Sequence, residues 1–293
     1  MSRFCAIVAF LLITCAVNGQ SGKINKKRLT GVITSETVAY GSSIFLLNNL
    51  WYRYYPRTGF HSFNDNAEWL QMDKAGHLMT SYYLGDAGYK ALKWAGVEKN
   101  KSLWFGRTLG SFYLLSMEVL DGFSSSWGFS WGDVFANTAG SALFMLQEHA
   151  WDEQRIRLKF SAHLSPYATY RPDLLGYNTM ERLIKDYNGQ TYWLSININS
   201  FLVEDNKFPE WLNLAVGYSG SEMVSGRPED NILYPGDFKP YRQFFIAPDI
   251  DFTRIPTSKP WLRTVFFALN MIKFPAPTLE FSQKGTKVYF FYF

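Results

Sequence analysis

The chain has 293 residues, a formal net charge of +4 and an aromatic content of 18%. So small a charge excess gives no support for nucleic-acid binding. Its two cysteines, Cys5 and Cys15, both lie near the start, which excludes a disulfide framework or a thiolate metal site in the rest of the chain. Many aromatic and few charged residues are typical either of a soluble enzyme or of a protein whose surface contacts lipid.

The first residues have the pattern of an export signal. Arg3 precedes an apolar run from Phe4 to Val17, and small residues follow. Because this run is too short to span a bilayer and a polar, basic segment follows it, we predict a secretory signal peptide over residues 1–19. The mature protein is therefore expected to be exported, to the periplasm or the outer membrane.

The processing of this leader has two alternatives. The small residues favour simple cleavage before Gln20. The alternative is lipoprotein processing at Cys15, although Thr14 is large for the position before a lipidated cysteine. Residues 20–30, which contain a basic run, are predicted to form a mobile basic tail.

Residues 31–152 are predicted to form a helical module of about four helices. Polar and charged residues interrupt each apolar pattern, so these helices are expected to pack on one another rather than to span a bilayer. They are predicted at about 37–52, 73–94, 102–120 and 132–151.

Residues 153–293 change to a period of two, which predicts an antiparallel β region and an α+β fold class. In the first strand Leu158 and Phe160 share one face, and Arg157 and Lys159 share the other. This alternation is typical of a half-buried sheet, and equally of a small outer-membrane barrel with lipid outside and a polar lumen. Further strands are expected within 191–201, 211–220, 243–255, 277–281 and 287–293, with short helices at 180–185 and 260–272.

The C-terminus has an aromatic pattern of its own. Strict alternation puts Tyr289, Phe291 and Phe293 on one face. The ending resembles the aromatic last strand of outer-membrane barrels, and it also fits a last core strand of a soluble sheet.

Polar residues follow helical spacing on three of the predicted helices. Asp73 and His77 are four residues apart and Lys74 is three from His77, so they share a face. Glu118 lies in an apolar helix, where a carboxylate is costly unless it is paired or protonated. Asp133 and Asn137 form a third stripe.

Three such stripes that face one another would form one partly buried pocket. A carboxylate, an imidazole and an ammonium held there could perform acid–base chemistry or bind a divalent cation. The alternative is a structural network in which the two aspartates cap helices and His77 is a hydrogen-bonded core residue. The six candidate residues are Asp73, Lys74, His77, Glu118, Asp133 and Asn137.

The segments "DKAGH" and "SMEVLDGFSSSWGFSWGDVFANTAG" resemble the YfiM-like family, a domain of unknown function predicted to be periplasmic or attached to the envelope. More distantly, the order of these motifs is similar to the VanZ-like helical family. The resemblance covers about residues 70–150 and places the six candidates at motif positions. It implies an envelope protein and supplies no reaction.

The sequence therefore favours an envelope protein with a structural or maintenance role and a polar pocket between helices. The alternative is a metal-assisted or acid–base hydrolase or transferase that acts on a lipid or cell-wall substrate. The sequence identifies no cofactor. A membrane or lipid surface is the expected partner, with other envelope proteins as further candidates.

Overall fold

The computed structural model describes residues 23–50, 55–203, 207–234 and 236–293. The predicted signal peptide, both cysteines and the predicted cleavage site lie outside these residues. The chain divides into two compact units. We call them the helical unit, Met1–Asp65 with Gly76–Glu153, and the sheet unit, Asn66–Ala75 with Gln154–Phe293.

The helical module expected from the sequence forms. Its helices have 21 to 25 residues, and none in the described part of the chain is long and apolar enough to cross a membrane. Helix α2 starts in the short segment assigned to the sheet unit and continues through the helical unit. The helices are α1 (Lys26–Leu50), α2 (Met72–Trp94), α3 (Lys99–Asp121) and α4 (Trp131–Trp151).

Helix α1 begins earlier than the sequence predicted. It starts at Lys26, inside the segment expected to be a mobile tail. Two physical reasons account for this. Lys and Arg are good helix formers, and the side-chain oxygen of Asn25 accepts a hydrogen bond from the Arg28 amide at 3.1 Å, as an N-cap does. In addition, Val32 is buried against Ala91 and Ala95.

Glycines allow the helices of this unit to approach closely. A Cβ on Gly140 of α4 would lie 2.0 Å from the Leu78 carbonyl oxygen. A Cβ on Gly106 of α3 would lie 2.4 Å from the Tyr89 amide nitrogen. Helix backbones therefore touch at these two glycines.

The sheet unit contains a six-stranded antiparallel sheet with the strands in sequence order. Three helices lie in its connections: α5 (Pro172–Leu175), α6 (Thr179–Lys185) and α7 (Pro260–Leu269). The mixed helix-and-sheet class expected from the sequence is confirmed. The strands are β1 (Ile156–Ala162), β2 (Gln190–Asn197), β3 (Leu212–Ser221), β4 (Tyr241–Ile250), β5 (Ala276–Ser282) and β6 (Gly285–Tyr292).

The sheet is open, with β1 and β6 as its edge strands. Closure into a barrel, one of the two outcomes expected from the sequence, is not found among the described strands. A single parallel bridge joins Phe160 on the outer edge of β1 to Ile272, shortly before β5. The Phe160 amide donates to the Met271 carbonyl at 3.0 Å, and the Lys273 amide donates to the Phe160 carbonyl at 2.9 Å.

The sheet buries its polar face and exposes its apolar face, the reverse of a half-buried sheet in water. On β3 the polar or small residues Asn213 and Ala215 are buried, whereas Leu214 and Val216 are 40% and 39% exposed. We call the buried side the inner face and the other the outer face. Polar side chains bond to one another on the inner face, as Ser195 does to Asp249 at 2.6 Å, and such bonds offset the cost of burying them.

The aromatic C-terminal strand does not alternate strictly. Between Ala276 and Thr278 of β5 and their partners Tyr292 and Tyr289, the register shifts by one residue. This bulge turns both tyrosines toward the inner-face core and leaves Phe291 81% exposed. The prediction that Tyr289, Phe291 and Phe293 share one face is therefore wrong.

Candidate cation or acid–base site in the helical unit

Three helices bring four of the predicted site residues together. Helix α2 supplies His77, α3 supplies Glu118 near its end, and α4 supplies Asp133 and Asn137. All four side chains are buried. We call these residues the His77 cluster.

An N-cap residue sets where α4 begins and so where Asp133 lies. Ser130 is the N-cap residue, and its Oγ accepts a hydrogen bond from the Asp133 amide at 3.1 Å. The Ser130 hydroxyl donates to the Oδ1 of Asp65 at 2.7 Å, and the Ser130 amide donates to the Oε2 of Glu118 at 3.3 Å. The start of α4 is thus tied to the end of α3.

The imidazole of His77 lies between the two carboxylates of the cluster. Its Nδ1 is 3.0 Å from the Oδ1 of Asn137 and 3.9 Å from the Oε1 of Glu118. Its Nε2 is 4.0 Å from the Oδ1 of Asp133. Each ring nitrogen therefore faces an oxygen of the cluster.

Hydroxyl groups continue the polar stripe along the same helices. The Ser81 hydroxyl, one turn beyond His77, donates to the Asn137 carbonyl at 2.5 Å. The hydroxyls of Ser111 and Ser141 are 2.6 Å apart. The stripes predicted on α2, α3 and α4 thus face one another within the helical unit.

The titratable groups of the cluster are one imidazole and two carboxylates. His77 can carry at most one positive charge, whereas Glu118 and Asp133 can carry two negative ones. Burial makes an excess negative charge costly, and either a retained proton or a bound cation would offset it. The arrangement can therefore hold an ion or exchange a proton.

The other two candidates lie in the first turn of α2, in the segment assigned to the sheet unit. Asp73 accepts a hydrogen bond from the Tyr187 hydroxyl at 2.9 Å, and the Lys74 ammonium lies 3.8 Å from its carboxylate. Asp73 precedes His77 by four residues on the same helix, a spacing that puts both on one helix face. Asp73 is thus both a first-turn acid and part of the stripe that carries His77.

Sequence reasoning missed two residues of this neighbourhood. Ser130 is the first residue of "SWGD", a Ser-x-x-Asp spacing typical of a helix N-terminus, so its capping role could have been found. Asp65 lies in a loop with no motif around it, so no sequence pattern indicates its role.

A surface cavity of about 210 Å³ lies elsewhere in the helical unit. Its lining includes Arg57 and Ser124 and contains no member of the His77 cluster. The cluster is therefore an interior site rather than the wall of this cavity.

Comparison with known proteins gives one similarity. Residues 58–149 match a family described as "Predicted periplasmic lipoprotein (DUF2279)". The match covers the His77 cluster and supports an exported, envelope-associated domain; the description names no reaction. No curated protein and no solved structure matches the chain.

Proposed function

We propose that the chain is an exported envelope protein with a structural or maintenance role, whose helical unit holds a divalent cation at the His77 cluster. The observation that carries this proposal is the position of His77 between two buried carboxylates. A divalent ion bound between the imidazole and a carboxylate would link α2 to α4.

The donor set suits a transition metal. Imidazole nitrogen favours zinc and similar ions, and carboxylate oxygen also accepts manganese. Bonds of about 2.0–2.2 Å to nitrogen and oxygen would place one ion between two atoms up to about 4.2 Å apart. The 4.0 Å between the Nε2 of His77 and the Oδ1 of Asp133 is within that limit. Asp73, one turn before His77 on the same helix face, is the natural further oxygen donor.

Metal titration tests the proposal. The purified full chain is stripped with EDTA and titrated with Zn²⁺ or Mn²⁺ by calorimetry, and the metal content is measured by mass spectrometry. We expect one equivalent to bind and the melting temperature to rise with metal concentration, because a ligand that binds only the folded state stabilises it. His77→Ala and Asp133→Asn should abolish both effects, and Asp73→Asn shows whether that carboxylate takes part.

His61→Ala is the matched control, because His61 lies in the same unit and outside the cluster. It should bind metal as the unsubstituted chain does. Failure of 1 mM Zn²⁺ and 1 mM Mn²⁺ (roughly the weak limit of a useful site) to bind would contradict the proposal and leave the cluster as a structural polar network.

The second candidate function is a hydrolase or transferase. It is supported by the carboxylates on both sides of His77, since a base oriented by an acid is a common catalytic arrangement. Burial of all four side chains favours the structural role. A complementation assay separates the two: loss of activity in a fully folded Glu118→Gln variant that still binds metal would favour the enzyme.

Location forms a separate part of the proposal. The similarity to a predicted lipoprotein family supports an acyl anchor at Cys15, the alternative that the leader sequence favoured less. Labelling of cells with radioactive palmitate, compared between the unsubstituted chain and Cys15→Ser, decides between the two. Fractionation after a carbonate wash then tells the outer membrane from the soluble periplasm.

A further inference from the structure

The outer face of the sheet carries a continuous apolar surface. Strand register places five aliphatic side chains side by side, each opposite the next across the ladder, and all are exposed. We call them the aliphatic row: Leu194, Val216, Ile246, Leu279 and Val288.

A second row of aromatic side chains runs beside the first, one step along the strands. It consists of Tyr192, Tyr218, Phe244 and Phe281, which are cross-strand neighbours. Leu70 and Met72 pack against Tyr192 and Tyr218, so protein covers one end of this row. Phe244 and Phe281 at the other end are 50% and 40% exposed.

The charged network of the inner face requires that this face, and not the outer face, is buried. Lys159 and Lys273 are fully buried there and surround Asp249, whose Oδ2 is 2.7 Å from the Lys159 ammonium. Turning the strands over would expose this buried charged network to solvent, so the apolar rows lie on the side of the sheet that the inner face leaves exposed. A sheet with a polar interior and an apolar exterior is the arrangement that lipid selects.

Charge at one border of the outer face indicates what covers it. On the outer side of β4, Arg242 precedes Phe244, which precedes Ile246, so the order is cation, aromatic, aliphatic. Arg242 donates to the Tyr218 hydroxyl at 3.1 Å. In the β5–β6 hairpin at the same border, Lys284 pairs with Glu222, and the register places Lys287 opposite Glu280 on the inner face. Arg242 is therefore the cation that marks this border on the outer face. Headgroup, interface and acyl chains of an anionic membrane follow the same order.

We propose that the outer face of the sheet docks into a membrane, with acyl chains against the aliphatic row and anionic headgroups against Arg242. This contact is independent of the cation proposed for the His77 cluster.

Vesicle flotation tests the contact. The full chain carrying Cys5→Ser and Cys15→Ser, so that no acyl group can be attached, is mixed with vesicles of phosphatidylethanolamine and phosphatidylglycerol. We expect it to float with them, and to float less with pure phosphatidylcholine. A triple variant, Val216→Asn, Ile246→Asn and Leu279→Asn, should lower binding roughly tenfold or more, because it removes apolar contact area. Arg242→Gln should weaken only the preference for anionic vesicles.

A matched triple variant changes exposed apolar residues in the β1–β2 connection: Leu164→Asn, Tyr177→Asn and Met180→Asn. It should float as the unsubstituted chain does. A dye that senses polarity, attached at Leu279→Cys in the cysteine-free chain, provides a second readout that needs no apolar-to-polar change; its emission should shift to the blue with vesicles. His77→Ala should leave both readouts unchanged.

Two outcomes would overturn the proposal. One is a monomer that floats with neither vesicle type and shows no dye shift. The other is a dimer in vesicle-free solution that the row variant dissociates, which would make this face an interface between copies of the chain.

Discussion

Each unit buries a cluster of charged side chains, and the two clusters differ in how their charges are matched. In the sheet unit, Asp249 faces Lys159 and Lys273, and each ammonium also donates to backbone carbonyls at 2.6 to 2.9 Å. In the helical unit, one imidazole faces two carboxylates. Burial of charge alone therefore does not identify a site.

Loss of the central acid in the sheet unit should have the largest effect. Asp249→Asn leaves two buried ammonium groups without their carboxylate, and breaking a buried pair on one side costs about 3–5 kcal/mol. Urea unfolding should show this loss. Asp237→Asn, at an exposed ion pair with Lys239, is the control and should leave the unfolding midpoint nearly unchanged.

The pH dependence of that variant sharpens the comparison. Burial lowers the pKa of Lys273 from 10.5 to about 8. Between these pH values the unfolded chain binds more protons than the folded one, so stability rises with pH. The cost of Asp249→Asn should therefore shrink between pH 8 and pH 10. A loss that does not vary with pH would contradict this assignment.

The next largest loss of stability should come from overpacking a close helix contact near the His77 cluster. Gly140→Ala would drive a methyl group against the Leu78 carbonyl, and overpacking of this kind costs about 1–3 kcal/mol. Gly41→Ala is the control, because nothing lies within 4 Å of a Cβ there, and it should stabilise α1 by about 0.5–1 kcal/mol. Thermal melts of both variants measure the difference. Equal melting temperatures would mean that the helices can move apart freely.

Glu36 tests how burial affects an acid of the helical unit that lies outside the His77 cluster. Burial raises the pKa of Glu36 in α1 from 4.5 to about 7. Because the folded state holds this proton more tightly, stability falls as pH rises from 4.5 to 7. Glu36→Gln should therefore stabilise the protein at pH 8 by about 1–2 kcal/mol, after allowance for solvent screening, and hardly at pH 4. Equal gains at both pH values would contradict the shift.

The smallest expected effect comes from the cluster proposed as a site. In metal-free protein, Glu118→Gln removes one of two facing carboxylates, so relief of repulsion should offset the lost attraction to His77 and leave stability within about 1 kcal/mol. Denaturant unfolding in EDTA measures this. A loss as large as that of Asp249→Asn would show that the two clusters are alike and that both are structural.

Local signals account for what the sequence predicted of the fold. Helix α4 starts one residue from its predicted start and ends at Trp151 as expected, because a Gly- and Ser-rich loop precedes it. The sequence could not show which face of the sheet is buried, because alternation distinguishes two faces without indicating which one meets solvent. The bulge that reorients Tyr289 depends on its partner strand, so no local pattern reveals it.

The site, like the fold, could be predicted from local patterns only in part. Helical spacing predicted the stripes that bring His77, Glu118, Asp133 and Asn137 together, because residues three and four apart share a face. The predicted pocket contains two residues that could pair with Glu118, His77 and Lys74, and the sequence does not choose between them. Only the structure shows His77 in that position and Lys74 beside Asp73. The chemistry of the cluster remains a prediction.

The bridge from β1 to Ile272 has a consequence for the order of folding. Helices α2 to α4 assemble from neighbouring stretches of chain, whereas β1 joins Ile272, more than 100 residues later, and Tyr292 packs on Trp193. Since long loops must close before such contacts form, the sheet unit is the slower of the two to form. A chain that emerges N-terminus first from an export channel must therefore present almost all of its length before the sheet can assemble.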